Sequence, residues 1–387
     1  MNILFLYQEA INPLTGGAER ITFLLGEYLE SKGYKIYFLG FKNKYLVSDE
    51  RQFFLPNSKY ILSKENIDFF QSFLFEKSIN ILINKGATSP EISTLSFYSK
   101  KEGVKLISVI HNSVLGGIKN FSSAQKSRFN KMGINFLLPL TDIQLVKSII
   151  LKIYKCKYRK HYSKLCSISD FVVLESEKFK EELSFLLGKQ KAPENVIGIP
   201  NFIIQDTIDL KKKEKEILFV GRINTSQKRV DLLLTIWSNL HNEFPDWKLK
   251  IVGGGDELES IIELSKQMGL KNIFFYGYCD AKKFYETASI ICLTSSYEGF
   301  GLTLVEAMQY GVVPFSFNSY LSVTDIIDHN INGIIIKPFD TNEYANKLSW
   351  LMLNRNELNK FSIAAKDKSK RFDLSIVGIN WLKILQI

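Results

Sequence analysis

The 387-residue chain is constrained most by two successive series of short apolar segments that alternate with stretches of helical periodicity. Segments such as 2–7 and 290–293 are largely apolar, as is typical of strands buried on both faces of a parallel sheet. The alternation predicts an α/β protein with two Rossmann-like, doubly wound domains. The domains are expected to face a central cleft, because ligands bind at the carboxyl ends of such strands. The predicted strands are 2–7, 35–39, 79–83, 105–110, 171–174 and 196–199 in the first series, and 216–221, 248–253, 273–276, 290–293, 312–315 and 333–336 in the second.

A polar, charged stretch separates the two series. Residues 201–215 follow Pro200 and include three consecutive lysines, so we interpret them as an interdomain linker. The predicted boundaries are then 1–200 for the N-terminal domain and 216–370 for the C-terminal domain. Residues 371–387 carry apolar residues at helical spacing and are predicted to form a terminal helix.

Several compositional features bear on the compartment. The four cysteines show no metal-ligand spacing, which favours ordinary thiols in a reducing environment. The N-terminal stretch lacks the basic start of a signal peptide, and no run of 18 apolar residues occurs. The chain also contains no Asp-x-Asp sequence. We therefore expect a cytoplasmic protein, soluble or peripheral, that needs neither a metal nor a cofactor.

The positive charge is concentrated in one segment. Residues 111–165 contain 11 Lys or Arg and one acidic residue, whereas the whole chain has 50 basic and 40 acidic residues and a net charge of +10. The remainder is therefore balanced, at 39 of each. Aliphatic residues lie between these cations, which favours binding of residues 119–164 to an anionic membrane surface. A solvated basic face is the alternative. Nucleic acid is less favoured, because few aromatic residues are placed to stack on bases.

The stretch 294–311 is predicted to form the loop and short helix after a strand. Glu298 lies in the loop and Glu306 lies on the helix, which Gly311 ends. The backbone N–H groups of Phe300, Gly301 and Leu302 would provide an anion site at the helix start. Because carboxylates only accept hydrogen bonds, the glutamates suit ligand hydroxyls, and the combination predicts a nucleotide-sugar pocket. A surface loop with two solvated glutamates is the alternative.

Two further motifs suit a diphosphate. Gly16 and Gly17 lie between the first strand and first helix, where they permit close approach of the backbone to an anion. They do not form the G-x-G-x-x-G pattern of a dinucleotide fold. Arg222 and Lys228 follow the first strand of the second series and could neutralise a diphosphate leaving group without a metal. The alternatives are a tight turn and two solvated surface cations.

These motifs together resemble those of the retaining glycosyltransferases of family GT4. The order Ser-Tyr-Glu-Gly-Phe-Gly, followed by Glu306-Ala307, is similar to the family's Glu-x7-Glu signature, and the sequences at 16–20 and 221–228 are similar to its glycine loop and Gly-Arg…Lys pattern. The resemblance covers almost the whole chain. It departs at Phe202, where the family usually has glycine after Pro-Asn.

The resemblance implies the GT-B fold, with the tail 371–387 crossing back onto the first domain. It also implies that Glu298 holds hydroxyls of the donor sugar, that Glu306 holds the ribose and that His111 contacts the transferred sugar. Tyr278 falls where the family holds the nucleotide base, and Gly253 to Gly255 resemble a neighbouring Gly-x-Gly element.

The motifs and the resemblance together predict a metal-independent hexosyltransferase of polysaccharide, lipopolysaccharide or capsule synthesis. The resemblance alone implies that it retains the anomeric configuration. Its donor is expected to be a nucleoside diphosphate sugar, with UDP favoured, and its acceptor a lipid-linked or cell-surface glycan. We expect it at the inner face of the bacterial cell membrane. A GT-B sugar-nucleotide epimerase and a non-catalytic nucleotide-sugar-binding subunit are the alternatives.

Overall fold

The structure, a computed structural model, describes residues 1–14, 16–43, 49–206 and 212–386. These residues form two compact units. The first comprises Met1–Val114, Tyr154–Phe202 and Leu374–Ile387, and the second comprises Leu115–Ile153 and Ile203–Asp373.

The first unit is built on a parallel sheet whose described residues form seven strands. The strand order is β3-β2-β1-β4-β5-β6-β7, so the chain starts in the middle of the sheet and is wound in both directions. The strands are β1 (Asn2–Glu9), β2 (Lys35–Lys42), β3 (Gln52–Phe54), β4 (Ile79–Asn84), β5 (Lys105–Ile110), β6 (Phe171–Leu174) and β7 (Val196–Gly198). The helices are α1 (Gly17–Ser31), α2 (Lys64–Glu76), α3 (Pro90–Phe97), α4 (Gly116–Lys119), α5 (Phe121–Lys131), α6 (Gln144–Ile168) and α7 (Phe179–Leu187), of which α4, α5 and the start of α6 belong to the second unit.

The second unit contains a parallel sheet of six strands within the described residues, in the order β10-β9-β8-β11-β12-β13. The strands are β8 (Glu216–Val220), β9 (Lys248–Val252), β10 (Ile273–Phe275), β11 (Ile290–Leu293), β12 (Val313–Phe317) and β13 (Ile334–Ile336). The helices are α8 (Val230–Ser238), α9 (Leu258–Gln267), α10 (Lys282–Thr287), α11 (Leu302–Met308), α12 (Val323–Ile326), α13 (Thr341–Leu353), α14 (Arg355–Ser369) and α15 (Leu374–Gln386), the last of which belongs to the first unit.

Large buried aromatic residues hold the second unit together. Trp237 on α8 and Tyr344 on α13 are almost completely buried against the sheet. Each satisfies its polar group, because the Trp237 indole donates to the Lys271 carbonyl at 2.9 Å and the Tyr344 hydroxyl donates to the Phe315 carbonyl at 2.9 Å. Burial of these rings therefore adds apolar area without leaving an unpaired donor.

The α/β class with two parallel sheets is confirmed. The sequence did not predict the edge strand β3 (Gln52–Phe54), which is only three residues long and is half-buried, so it carries little hydrophobic signal. The predicted linker 201–215 contains the change of unit between Phe202 and Ile203, and its residues 207–211 lie outside the described residues.

The segment 115–153 groups with the second unit, whereas the predicted boundary assigned it to the first domain. The C-terminal residues Leu374–Ile387 follow the second sheet in the chain but group with the first unit. There Gly378 packs so tightly on Tyr28 of α1 that a Cβ atom would lie 2.5 Å from the ring. Both groupings depend on contacts between residues far apart in the chain. Neither has a local sequence signal.

Candidate donor-binding site of the second unit

Glycines shape the carboxyl ends of β8 and β9. Gly253 has a φ of 141°, and a Cβ atom there would lie 1.9 Å from the carbonyl oxygen of Gly221. Side chains rarely adopt that backbone conformation, and this one would also clash with the backbone. The N–H of Gly221 in turn donates to the Val252 carbonyl at 3.0 Å. The two strand ends therefore present bare, closely packed backbone.

The loop that carries Lys228 is hydrogen-bonded to the loop after β11. The Asn224 side chain accepts from the N–H groups of Gln227 and Lys228 at 2.9 and 2.8 Å. The N–H of Ser296 donates to the Gln227 carbonyl at 2.7 Å, and its hydroxyl donates to the Ser226 carbonyl at 2.7 Å. These bonds fix both loops relative to each other, so the positions of their side chains are coupled.

Lys228 and Glu298 meet across these loops. The Lys228 Nζ lies 2.7 Å from Oε1 of Glu298, and the two side chains are only 15% and 8% exposed. The Ser295 hydroxyl donates to the same oxygen at 2.5 Å. Among the described residues, Lys228 and Ser295 both contact Oε1 of this carboxylate, and neither contacts Oε2. One cation and one carboxylate predicted from separate motifs thus form a single, largely buried pair.

Arg222 follows β8 and is exposed. It forms no ion pair within the described part of the chain. Its positive charge acts on Tyr297, whose pKa is raised by burial and by the charge of Glu298, while Arg222 opposes that rise. The guanidinium therefore lies near the loop of Glu298, with its charge available to a ligand.

Glu306 lies on α11, the helix that follows the loop of Glu298, and its side chain is buried. The Tyr285 hydroxyl donates to Oε2 of Glu306 at 3.1 Å. The ring of Tyr285 packs on Tyr310, with 5.8 Å between centroids. Tyr285 therefore orients the carboxylate, and the sequence pattern did not indicate this role because a tyrosine on a helix is most often a packing residue.

The loop before α11 is held in place by a buried serine. The Ser322 hydroxyl donates to the carbonyls of Gly299 and Phe300 at 2.9 and 3.1 Å. Gly301 then caps α11 with a φ of 97°, and Phe300 packs on the ring of Phe372. Within the ranges that the structure describes, the N–H groups of Phe300, Gly301 and Leu302 donate to no backbone carbonyl.

Tyr278 lies beside the glycine loop 253–255, which follows β9. Its side chain is exposed, and a Cβ atom on Gly254 would lie 3.6 Å from its Cβ. The remaining predicted residues, Gly16, Gly17 and His111, belong to the first unit. Gly16 is the extended residue before α1, and a Cβ there would lie 2.5 Å from Oε2 of Glu19. Thr15, the first residue of that motif, lies outside the described residues.

The segment 115–153 supports the loops that contain Ser296 and Ser319. The Asn120 amide donates to the carbonyls of Ser296 and Ser319 at 2.5 and 3.3 Å. Asn120 is 176 positions from Ser296 in the chain, so no local pattern could have indicated the contact.

A charged cluster makes a second connection between this segment and α8. Lys126 Nζ lies 2.9 Å from Asp231, and Arg229 binds both Asp231 and the hydroxyl of Ser123. Burial alone would raise the pKa of Asp231, but the two cations lower it below its ordinary value. The carboxylate therefore stays ionised and holds α5 on the start of α8.

No group of three or more His, Cys, Asp and Glu side chains suited to a metal occurs in the described ranges. None of the helices described is long and apolar enough to cross a membrane.

The two parallel sheets with flanking helices define the GT-B class of proteins. The structure is similar over 100% of its length to the lipopolysaccharide outer core galactosyltransferase WaaB in its apo form, with a TM-score of 0.71, 19% identity and 99% coverage of that chain. It is similar to Anabaena Alr3699/HepE in complex with UDP and glucose, with a TM-score of 0.72, 16% identity and coverage of 100% and 99%.

Residues 202–368 match the family described as glycosyl transferases group 1. The match confirms the resemblance that the motifs indicate. An uncharacterized glycosyltransferase of Haemophilus influenzae is 32% identical over 195 residues, which cover 49% of this chain and 55% of the relative. The chain spans about half the length of the curated relatives that it matches.

Proposed function

We propose that the protein is a retaining glycosyltransferase that transfers a hexose from a nucleoside diphosphate sugar to a glycan acceptor. The Lys228–Glu298 pair carries this proposal, because it puts a cation for phosphate beside a carboxylate for hydroxyls on glycine-lined strand ends. Retention follows from the family resemblance, and no carboxylate is assigned as a nucleophile.

In the proposed complex, the diphosphate lies against the backbone near Gly221 and Gly253. Lys228 and Arg222 neutralise the charge that develops on it as the sugar leaves, as preorganised donors do in an oxyanion hole. Glu298 keeps its Oε1 on Lys228 and offers Oε2 to a sugar hydroxyl. This use of the two oxygens lets the ion pair persist while the donor binds.

Glu306 is proposed to accept hydrogen bonds from the ribose hydroxyls, with Tyr285 holding the carboxylate in place. The exposed Tyr278 ring, beside Gly254, is proposed to contact the base. The N–H groups of Phe300, Gly301 and Leu302 would complete the phosphate site.

A UDP-linked donor is proposed because the similar HepE structure is a complex with UDP and glucose. A lipid-linked or cell-surface polysaccharide acceptor is proposed because the similar WaaB structure is that of a lipopolysaccharide outer core galactosyltransferase. Both extensions concern the substrate, and neither changes the assignment of the charged residues.

An anionic membrane surface is the second proposed partner. The segment 132–153 exposes a series of large apolar side chains next to its cations. Leu145, Ile149 and Ile153 recur every fourth residue of α6, so they lie on one stripe of that helix. The exposed apolar residues are Met132, Phe136, Leu140, Ile143, Leu145, Ile149 and Ile153.

The second half of α6 exposes mainly cations, including Lys157, Arg159, Lys160 and Lys164. An apolar stripe followed by a cationic one suits a helix that lies in the plane of an anionic leaflet. The proposal places the enzyme at the cytoplasmic face of the cell membrane, where a lipid-linked acceptor is presented.

The proposed function is tested by a screen of sugar nucleotides for slow donor hydrolysis, read as free UDP or GDP. We expect release of UDP from at least one UDP-hexose, with and without excess EDTA, because Arg222 and Lys228 supply the charge. Failure of every donor would contradict the transferase assignment. Formation of an isomeric sugar nucleotide would instead identify an epimerase, and loss of activity in EDTA that manganese restores would identify a metal site.

A further inference from the structure

Three neighbouring strands of the first unit are each followed by a largely buried polar residue. Lys85, His111 and Glu175 are the first residues after β4, β5 and β6, which are adjacent in the sheet. Lys85 and Glu175 are 3% and 4% exposed, and the His111 side chain is 10% exposed. The register of a parallel sheet therefore gathers a cation, an imidazole and a carboxylate at one edge.

Glu175 determines which nitrogen of His111 carries the proton. His111 Nδ1 lies 3.0 Å from Oε1 of Glu175, and the Asn201 amide donates to the same oxygen at 3.0 Å. An ionised carboxylate can only accept hydrogen bonds, so Nδ1 is the donor in this contact. In a neutral imidazole, Nε2 then has a lone pair and no proton.

The surroundings keep the imidazole neutral. Burial, together with the positive charge of Lys85, lowers the pKa of His111 well below its ordinary value. Burial also lowers the pKa of Lys85, to about 7, against the opposing charge of Glu175. Burial and the charge of Lys85 thus outweigh the attraction of the Glu175 carboxylate for a proton on His111.

Nε2 of His111 is buried and has no hydrogen-bond partner among the residues that the structure describes. A buried polar atom without a partner is costly, which points to a ligand that supplies one. Because Nε2 is an acceptor, that ligand group must be a donor. A hydroxyl fits, and a phosphate or carboxylate oxygen does not.

We propose that Glu175 is a positioning residue that holds His111 in the Nδ1-protonated form, so that Nε2 accepts a hydrogen bond from a hydroxyl of a ligand bound at the carboxyl ends of β4, β5 and β6. His111 then acts as a hydrogen-bond acceptor through Nε2. The identity of the hydroxyl rests on the proposed function. The tautomer and its cause do not.

The first test is two-bond ¹H–¹⁵N correlation NMR on the full chain with ¹⁵N-labelled histidine. The chain has four histidines, and the signals of His111 are identified by their absence from the spectrum of His111→Ala. We expect His111 to be neutral and protonated at Nδ1 between about pH 5 and pH 8. A His111 protonated at Nε2, or titrating near its ordinary pKa, would overturn the proposal. This result does not depend on finding a substrate.

The second test uses Glu175→Gln, whose amide can either accept from or donate to Nδ1. We expect the Nδ1-protonated form to lose its dominance and kcat/KM for the sugar nucleotide to fall about tenfold. In the His111→Ala background the same change should cause no further loss. A further loss would show that Glu175 acts by another route.

Glu182→Gln is the matched control, because Glu182 is also a buried glutamate of the first unit but binds the hydroxyl of Ser113. We expect its His111 spectrum to match the wild type. If Glu182→Gln shifts the tautomer as much as Glu175→Gln does, general perturbation of the unit explains both, and the proposal is wrong. If no sugar nucleotide reacts but the tautomer is as expected, only the proposed function fails.

Discussion

The side-chain nitrogen of Lys228 lies 2.7 Å from Oε1 of Glu298, although the residues are 70 positions apart in the chain. The pair is largely buried and is supported by Ser295 and by the hydrogen bonds between its two loops. A buried pair is costly to break from one side only, because the remaining charge has no partner. This relationship separates the expected effects of the two proposed phosphate cations.

Lys228→Ala and Arg222→Ala should each lose about 2–4 kcal/mol of transition-state stabilisation, which lowers kcat/KM roughly 30- to 1,000-fold. Lys228→Ala should also lower the free energy of unfolding, because Glu298 is then buried without its cation. Arg222→Ala should not, because Arg222 is exposed. Donor hydrolysis and urea unfolding measure the two effects. Lys347→Ala, an exposed lysine of α13, is the control, and near-wild-type turnover in both site variants would contradict the assignment.

Glu306→Gln should weaken binding of free UDP as well as UDP-sugar, because its proposed partner is the ribose. Glu298→Gln should weaken binding of the UDP-sugar and leave free UDP nearly unaffected, because its proposed partner is a sugar hydroxyl. Each lost hydrogen bond to a charged group is worth about 1.5–3 kcal/mol. Calorimetric titration of both ligands into both variants decides the matter, and equal responses would show that this division of roles is wrong.

Asn120→Ala should raise the KM for the donor about three- to tenfold, because the variant removes the two hydrogen bonds that hold the backbone at Ser296 and Ser319. The fold should be retained, since the lost contacts are local to these loops. Steady-state kinetics with varied donor measures the effect. Asn359→Ala, an exposed position on α14, should leave KM unchanged, and an equal KM in both variants would argue against the support role.

Removal of the cations of α6 should weaken binding to anionic liposomes in a salt-dependent way. Each cation near an anionic leaflet contributes about 1 kcal/mol, so loss of five should lower binding by more than about tenfold at moderate salt. Co-sedimentation with neutral and anionic liposomes measures this. The residues changed to glutamine are Lys152, Lys155, Lys157, Arg159 and Lys160.

The control for that experiment removes the same number of exposed cations from the second unit, outside α6. Its binding to anionic liposomes should stay close to that of the wild type. If the two variants lose binding equally, net charge and not this helix is responsible. The control residues changed to glutamine are Lys266, Lys271, Lys347, Lys360 and Lys370.

Lys85→Met should remove a pH-dependent part of the stability. The pKa of Lys85 is about 7 in the folded protein and near 10.5 when unfolded, so between these values the unfolded chain binds one more proton. The burial penalty is present in full below about pH 7 and is relieved as the pH rises. The free energy of unfolding of the wild type should therefore rise relative to the variant, by up to about 1.4 kcal/mol per pH unit. Urea unfolding from pH 7 to pH 9 tests this, and parallel pH curves would contradict it.

Local patterns in the sequence were sufficient for the sheets and for the motif loops. The strand segments 105–110 and 290–293 were predicted with their observed bounds, because an unbroken apolar run between turn residues is a local property. The glycines at 221, 253 and 301 stand out in the motifs, but only the structure gives the positive φ angles that require them. The short edge strand β3 was missed because it has no such run.

Partnerships between distant residues could not be read in this way. The pairing of Lys228 with Glu298, the gathering of Lys85, His111 and Glu175, and the grouping of 115–153 with the second unit depend on which strands are neighbours in the folded sheets. Sequence periodicity shows that a residue is buried or exposed but not what it faces. The residue types come from the chain itself, whereas their contacts come from the packing of elements that lie far apart along it.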